Sequence, residues 1–240
     1  MNLLLLTPED QIAPGCFRIT GRRAEHIRAV LRAKPGDFLK AGMLNGKIGR
    51  VRLLSCGRNE AELADAVFDR EPPEKSRIVP VISLPRPQSF KKTLHFIASS
   101  GLGKAFFVGS ARVEKSYWKS SAMDASAIEE EIRLGLEQGV DTVPPELKFY
   151  PSLRDFFESE KDFLAACERR IVAHPEPGAP GCPHALELQR HLALGIGPEG
   201  GYTPAEVAAF QRNGFTCVTL GAHILRVEFA LSVLCGKLSV

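Results

Sequence analysis

The sequence lacks long apolar runs and a leader-like start. Its longest apolar stretches, such as residues 3–6 and 79–84, are much shorter than the roughly 20 residues that a membrane-spanning helix needs. No cationic segment precedes residues 3–6, so a secretory signal is not expected. Membrane and secreted proteins are therefore disfavoured, and a cytoplasmic protein is expected.

Closely spaced cysteines are also missing. The chain has six cysteines, and none belongs to a Cys-x-x-Cys pair. This spread lacks the spacing typical of zinc sites and suits reduced thiols better than a disulfide framework. No metal is expected, and the sequence contains no internal repeat or low-complexity tract.

The sequence does contain a concentration of positive charge near its start. The 240 residues carry a net charge of +3, yet residues 15–58 hold eleven Lys or Arg against two acidic residues, which is +9. Such clusters bind polyanions by releasing phosphate counterions, so an RNA-binding face is predicted. A solvated basic face without a ligand is the alternative. The candidate phosphate contacts are Arg22, Arg23, Arg28, Arg32, Lys34, Lys47, Arg50 and Arg52.

A linker divides the chain into two differently patterned parts. Residues 69–77 are charged, include two prolines and have no apolar side chain, as is typical of a linker. Before them, short extended runs with an Asn45-Gly46 hairpin signal surround one predicted helix over residues 21–33. This pattern predicts a small β-barrel domain over residues 1–71.

After the linker, predicted strands alternate with helices over residues 78–240. Residues 78–84 and 192–196 are continuous apolar runs, as expected for strands buried on both faces. A Pro- and Gly-rich stretch, residues 173–184, is a predicted loop. Alternating strands and helices predict an α/β domain with a parallel sheet.

Residues 194–204 carry the clearest chemical signal. They read Leu-Gly-Ile-Gly-Pro-Glu-Gly-Gly-Tyr-Thr-Pro and join a buried strand to a helix. Thr203 is the predicted N-cap, and Glu206 completes a capping box. The glycines allow a sharp turn and a close approach to a ligand. A plain strand-to-helix turn without a ligand is the alternative.

Residues 195–200 also fit Gly-x-Gly-x-x-Gly, the dinucleotide-binding pattern. Three features oppose that interpretation. The pattern usually opens its domain, no acidic residue follows the next strand at Leu220-Gly221, and Glu199 would repel a pyrophosphate. A ligand with no phosphate and a cationic centre suits Glu199 better. A nicotinamide enzyme remains a less favoured alternative.

Five segments, in order along the chain, match one known family. The two most specific are Gly197-Pro198-Glu199-Gly200-Gly201 and the loop Leu220-Gly221 with Ile224-Leu225-Arg226 and Glu228. The others are residues 26–32 with Gly36-Asp37, Glu137-Gln138, and His174-Pro175-Glu176. This set resembles the ribosomal RNA small subunit methyltransferase E family, which belongs to the SPOUT class.

The resemblance implies a trefoil-knotted SPOUT-type α/β domain preceded by a PUA-like β-barrel, although knots are rare in proteins. It also implies a homodimer formed through the knotted domain. The implied activity is methylation of N3 of a uridine in 16S rRNA of the small ribosomal subunit, with S-adenosyl-L-methionine as cofactor. The implied cofactor-binding residues are His174, Pro175, Glu176, Gly195, Ile196, Gly197, Pro198, Glu199, Gly200, Leu220, Gly221, Ile224, Leu225 and Arg226.

Arg226 and Glu228 are the candidate catalytic residues. Arg226 would stabilise the uracil anion, and Glu228 would orient Arg226 or accept the proton. A purely structural ion pair is the alternative. Tyr117 and Trp118 could stack on a base, although a core or dimer role is favoured for both.

The sequence departs from the family's pattern in segments that the RNA would contact. Gly139-Val140-Asp141 follows Glu-Gln where the family usually has an arginine, and residues 98–103 lose a lysine and a glutamate. Val227 and Phe229 replace two threonines. Methylation of another RNA position and a non-catalytic RNA-binding assembly factor therefore stay open as alternatives.

Overall fold

The computed structural model describes residues 1–176 and 178–239. Pro177, in the predicted loop, lies outside the described residues. The chain separates into two compact units. Unit 1 is formed by Met1–Glu74, Ala98–Gly101 and Ile132–Pro144, and unit 2 by Lys75–Ile97, Leu102–Glu131 and the chain from Pro145 onward. The two inner segments of unit 1 have no counterpart in the division expected from the sequence.

Unit 1 is built on a six-stranded sheet. Its strands are β1 (Leu4–Leu6), β2 (Gln11–Ala13), β3 (Cys16–Thr20), β4 (Phe38–Met43), β5 (Ile48–Cys56) and β6 (Glu60–Arg70). They lie in the order β1-β4-β5-β6-β3-β2, and the β1–β4 pair is parallel while the others are antiparallel. β4 and β5 form the hairpin predicted at Asn45-Gly46.

The core of unit 1 lies on one face of this sheet. Alternation along β4 and β5 points Leu39, Ala41, Val51 and Leu53 inward, because successive side chains of a strand face opposite sides. The basic side chains of these strands, Lys40, Arg50 and Arg52, lie on the opposite face of the sheet. Sequence alternation therefore determines which side of the sheet carries the charge.

The prediction of one regular α-helix over residues 21–33 is wrong. The structure has a short α-helix, α1 (Arg22–His26), followed by a π-helical turn over Ile27–Leu31 that ends at Arg32 with φ 53°. The wider turn leaves Val30 and Leu31 64% and 46% exposed, although helical spacing predicted them on the buried face. π-helical turns interrupt regular helices, often at functional sites.

Unit 2 contains the parallel sheet that the sequence predicts, so that prediction is confirmed. Its strands are β7 (Ile78–Ser83), β8 (Lys104–Val108), β9 (Glu146–Tyr150), β10 (Arg169–Ala173), β11 (Leu192–Ile196) and β12 (Thr216–Val218). They lie in the order β12-β10-β11-β7-β8-β9, and every pair is parallel. β7 and β11 are buried along their whole length.

The remaining helices follow this chain order: α2 (Pro87–Ser99), α3 (Ala125–Gly139), α4 (Leu153–Ser159), α5 (Lys161–Ala166), α6 (Pro204–Arg212) and α7 (Val227–Leu238). An aromatic cluster packs α4 and α6 against the sheet of unit 2, and it includes Phe106, Phe156, Phe157, Phe210 and Phe215.

Within the described part of the chain, no helix is both long and apolar enough to cross a membrane.

A buried ion pair ties the start of unit 1 to α1. The Arg23 guanidinium donates hydrogen bonds to both carboxylate oxygens of Asp10, at 2.7 and 2.6 Å, and to the carbonyl of Leu5 at 2.9 Å. Burial raises the pKa of Asp10, but hydrogen bonds from Arg23 and Thr7 lower it further than burial raises it, so the net shift is downward. The ion pair therefore stabilises the ionised form of Asp10 and links it to α1.

We expect Arg23→Ala to lower the free energy of unfolding by about 3 kcal/mol at pH 7, because it leaves a buried carboxylate unpaired. Arg28→Ala, which removes an exposed arginine, should change it by less than about 0.5 kcal/mol. Because the pKa of Asp10 is lowered in the fold, its contribution is present at neutral pH and is lost as the carboxylate is protonated, below about pH 4. Urea unfolding from pH 7 to pH 3 should therefore show the two variants converging. Equal stability at pH 7 would contradict this assignment.

Candidate active site

A cavity of about 280 Å³ lies at the carboxyl ends of β10, β11 and β12. In open parallel sheets this edge is where ligands bind, since the loops that follow the strands converge there. Three chain segments form most of the walls: residues 173–175 after β10, residues 196–202 after β11, and residues 218–225 after β12. Val227 and Ala230 of α7, together with Arg112, complete the lining.

The glycine-rich turn forms one wall. The amide of Gly201 donates to the carbonyl of Pro198 at 2.8 Å, and Gly201 has φ 70°, which a residue with a side chain rarely adopts. Thr203 caps α6, and the Glu206 carboxylate accepts from the Thr203 amide at 2.8 Å. The predicted capping box is therefore confirmed, and it holds the end of the turn.

Tyr202 supports the turn from beneath. Its ring is 2% exposed, and its hydroxyl donates to the carbonyl of Ile196 at 2.9 Å. A Cβ on Gly197 would lie 3.3 Å from this ring, so the chain passes close over it. Burial raises the pKa of Tyr202, so the phenol stays protonated and can donate.

Two contacts attach a second loop to the turn. The amide of Ala111 donates to Glu206 at 2.7 Å, and the Arg112 guanidinium donates to the carbonyl of Gly200. Arg112 lines the cavity, but sequence reasoning missed it because it lies in a loop without a motif. Tyr202 follows the glycines directly, and the sequence pattern gives no sign that its side chain supports the turn.

Glu199 lies at the rim of the cavity. Its carboxylate accepts from the backbone amide of Arg86 at 3.0 Å, and the Arg86 Nε lies 3.9 Å away. The side chain is 35% exposed, so one face of the carboxylate remains accessible. A carboxylate in this place repels phosphate and attracts a cation, which agrees with the argument against a dinucleotide.

The loop after β12 forms the opposite wall. Thr219 is held by the carbonyl of Pro180 and the amide of Cys182, both at 2.9 Å. Gly221 has φ 117°, where other residues are strained. Beyond it, Ile224 and Leu225 are 84% and 39% exposed. The cavity therefore has an apolar side that is open to solvent.

The structure brings most of the predicted cofactor residues to this cavity. Those that line it are His174, Pro175, Ile196, Gly197, Pro198, Glu199, Gly200, Leu220, Gly221, Ile224 and Leu225. Three others, Glu176, Gly195 and Arg226, do not. Glu176 lies beside Cys217, where burial and then a hydrogen bond with Glu176 raise the pKa of the thiol to about 11.

The predicted catalytic pair is separated. Arg226 is the exposed N-cap of α7 and makes no ion pair within the described residues. Glu228 is 4% exposed, and neither of its carboxylate oxygens has a hydrogen-bond partner in the described part of the chain. Lys92 Nζ lies 3.8 Å from Glu228. The expected contact in which Glu228 orients Arg226 is therefore not formed, because the side chains leave the helix on different sides.

The predicted RNA-binding cations of unit 1 fall into two groups. Four are engaged in ion pairs: Arg22 with Glu137 at 2.9 Å, Arg23 with Asp10, Arg52 with Asp65 at 2.6 Å, and Lys47 with Glu71 at 2.7 Å. The others, Arg28, Arg32, Lys34 and Arg50, are exposed and make no ion pair with any described residue. The density of charge in the sequence does not show which cations are held in ion pairs and which are exposed without one.

Tyr117 and Trp118 are not core residues. They occupy a 3-10 turn in unit 2 and are half-buried, so of the expected core or dimer role only the dimer role stays a prediction. The Tyr117 hydroxyl donates to Glu114 at 3.1 Å.

A ligand cavity at the carboxyl edge of a parallel sheet, with a glycine turn on one side and an apolar loop on the other, defines a small-molecule-binding α/β protein. Residues 72–239 match a family model described as an RNA methyltransferase domain. Because this match spans well over half of the sequence, the chain belongs to the RNA methyltransferase domain family. The expected family and enzyme class are thereby confirmed.

Several curated relatives are similar over nearly the whole chain. The ribosomal RNA small subunit methyltransferase E of Treponema pallidum is 28% identical and covers 98% of this chain and 90% of its own length. The ribosomal RNA small subunit methyltransferase E 1 of Borreliella burgdorferi is 25% identical, with 96% and 94% covered.

Two solved structures show the same fold. A Legionella pneumophila methyltransferase with bound S-adenosylmethionine superposes with a TM-score of 0.72 at 21% identity, covering 97% and 96% of the two chains. The ribosomal RNA small subunit methyltransferase E of Neisseria gonorrhoeae, also bound to S-adenosylmethionine, has a TM-score of 0.66 at 20% identity, with 98% and 95% covered.

Gly195→Ala should destabilise the protein by about 1–3 kcal/mol, because overpacking a filled core forces its neighbours to move. The added Cβ would lie 3.0 Å from the Phe210 ring and 3.1 Å from Val172. The matched control is Gly236→Ala in α7, where a Cβ would meet nothing within 4 Å. Removing a helix-interior glycine there should raise stability by about 0.5–1 kcal/mol. Thermal unfolding distinguishes the two, and a neutral Gly195→Ala would contradict the packing role.

Proposed function

We propose that this chain methylates N3 of a uridine in 16S rRNA of the small ribosomal subunit. The observation that carries the proposal is the cavity of unit 2, which gathers the glycine turn and the loop after β12 in one place. At the level of class, the enzyme is an S-adenosylmethionine-dependent rRNA methyltransferase. What we propose beyond this class is the target, which is a uridine methylated at N3.

The residues of the cavity fit an adenosyl sulfonium. The glycines at residues 197–201 line the cavity without side chains that would block a closely approaching ligand, and Ile224 and Leu225 supply the apolar surface that ligand pockets usually have. Glu199 places a negative charge at the rim, which suits a cationic ligand. When bound, S-adenosylmethionine supplies a methyl group on a positively charged sulfur.

Transfer to uridine N3 requires the loss of a proton. The N3–H proton must leave before or as the new N–C bond forms, and the negative charge spreads to the carbonyl oxygens of the uracil ring. A positioned base and a cationic donor both lower the barrier to such a step. Orientation of the two reactants in one site supplies much of the remaining acceleration.

Arg226 and Glu228 are proposed for these two roles. Arg226 is exposed at the start of α7 and free of ion pairs among the described residues, so it can reach a uracil oxygen. Glu228 follows Val227, which lines the cavity, whereas Glu228 itself is outside the lining and has Lys92 Nζ 3.8 Å from its carboxylate. Its buried carboxylate lacks a hydrogen-bond partner in the described chain, and such groups are costly unless an incoming donor satisfies them.

The knotted SPOUT arrangement is part of the proposal. Its support is the segment after β10, which contacts both the β12 loop and the last helix. The amide of Cys182 donates to the carbonyl of Thr219, while the amides of Ala185 and Leu186 donate to the carbonyls of Lys237 and Leu238 at 2.7 and 3.0 Å.

A homodimer through this domain is proposed because Phe229 and Val233, one turn apart on α7, are 54% and 42% exposed.

Residues 1–71 are proposed as a PUA-like RNA-binding domain and residues 78–240 as the methyltransferase domain. The cations available for phosphate contact are Arg28, Arg32, Lys34 and Arg50, whereas Arg22, Arg23, Lys47 and Arg52 would first have to leave their ion pairs. Phosphate contacts position an RNA without reading its sequence. The base specificity would therefore come from unit 2.

The direct test is methyl transfer from labelled S-adenosylmethionine to immature small subunits, followed by mapping of the methylated base. We expect one label, on N3 of a uridine in 16S rRNA. A label at another position in RNA would agree with an RNA methyltransferase but would contradict uridine N3 as the target. No label, together with no cofactor binding by calorimetry, would favour an assembly factor.

We expect Glu228→Gln to lower kcat by roughly 100-fold or more, the usual contribution of a general base. Cofactor affinity should change little, and stability should be unchanged or higher because a buried charge is removed. Glu187→Gln, at an exposed position outside the cavity, is the matched control. Full turnover by Glu228→Gln would exclude Glu228 as the base.

Arg226→Ala should lower kcat by about 10²- to 10³-fold, since it removes a donor to the developing uracil anion. Cofactor binding, measured separately by calorimetry, should stay within a few fold. A variant that loses cofactor affinity but not kcat would instead make Arg226 a cofactor-binding residue.

A further inference from the structure

A groove in unit 1 is not used by the proposed active site. Its volume is about 570 Å³, and its walls come from the start of the chain, the π-helical turn and the beginning of β4. Leu31, Phe38 and Lys40 are among the lining residues. Phe38 and Leu31 are 54% and 46% exposed there, so the groove presents apolar surface to solvent.

Phe38 lies on the solvent-facing side of β4 with basic neighbours. The register pairs Phe38 with Arg52 and Lys40 with Arg50 on β5, so these four side chains share one face of the sheet. The Arg50 guanidinium carbon lies 5.0 Å from the centre of the Phe38 ring. This geometry is a cation–π contact that leaves the rest of the ring accessible.

The surroundings of the groove are strongly cationic. Lys40 and Arg50 are exposed, and the π-helical turn and its continuation add Arg28, Arg32 and Lys34. These five side chains make no ion pair with any described residue. The nearby acid, Asp37, is engaged by the Lys34 amide at 2.8 Å. An exposed aromatic ring among free cations matches the surface that single-stranded nucleic acids recognise, with bases on the ring and phosphates on the cations.

We propose that Phe38 and Arg50 form a stacking subsite for one unpaired base of the RNA, with Lys40, Arg28 and Arg32 contacting the flanking phosphates. This inference rests on the proposed RNA methyltransferase function and assigns unit 1 a preference for single-stranded RNA. Neither Phe38 nor Lys40 stands out in the sequence, because Phe38 occupies the position of an ordinary strand residue.

The test uses the full-length protein and two fluorescent 12-nucleotide probes, oligouridine and an abasic ribose-phosphate chain of equal length, measured by anisotropy. The wild type should bind oligouridine more tightly than the abasic probe. Phe38→Ala should weaken oligouridine binding by roughly 5- to 150-fold, the range known for stacking of one base, and leave abasic binding unchanged. Phe38→Trp should keep the preference for bases.

Ile12→Ala is the matched control, since Ile12 is 53% exposed on β2 at the opposite edge of the sheet. It should bind both probes as the wild type does. Lys40→Ala should weaken both probes and reduce the slope of log affinity against log salt by about one phosphate contact.

The proposal is overturned if Phe38→Ala binds oligouridine as the wild type does, if the wild type does not distinguish the two probes, or if it binds neither. Methylation of immature subunits by the same preparation separates the two hypotheses. Methylation without base-dependent binding rejects the subsite alone. Base-dependent binding through Phe38 without any methyl transfer rejects the proposed function alone.

Discussion

The hydrogen bond from the buried Tyr202 hydroxyl to the carbonyl of Ile196 is the interaction on which the candidate site depends. Ile196 ends the central strand β11, and the glycine turn begins at the next residue. A protonated phenol beneath the turn gives the backbone a fixed support at the point where residues 197–201 begin. The capping box at Thr203 holds the other end of the same turn.

The positive charges of the molecule fall into two groups, those held in ion pairs and those exposed to solvent. In unit 1, Arg23 and Arg52 are held by acids of the same unit and contribute to the fold, whereas Arg28 and Arg50 are free of ion pairs with the described residues. In unit 2, Glu199 and the buried Glu228 carry negative charge near the cavity. An anionic polymer on unit 1 and a cationic ligand in unit 2 are the partners that this division favours.

Local sequence rules predicted much of the fold and the outline of the site. Apolar continuity located β7 and β11, the Asn45-Gly46 turn located a hairpin, and Thr203-Pro204 located the start of α6. The strand β9 was missed because it lies at a sheet edge and is mostly half-buried, so its residues show no continuous apolar run. The π-helical turn after His26 was missed because helical spacing describes regular α-helices only.

Side-chain partners were harder to predict, since they depend on contacts between residues far apart in sequence. Charge density predicts Arg23 as an RNA contact, whereas in the structure Arg23 pairs with Asp10. Arg226 and Glu228 are two residues apart, which on a helix directs their side chains to different sides. Gly195 belongs to the cofactor motif by sequence, yet its lack of a side chain makes room for Phe210.

We propose that the glycine turn and the loop after β12 together bind S-adenosylmethionine. Hydrogen–deuterium exchange with and without the cofactor tests it directly. We expect slower exchange at the amides of residues 197, 199–201 and 219–225 when the cofactor is added, with no change in strands β4 and β5 of unit 1. Protection confined to other segments, or no protection at saturating cofactor, would contradict it.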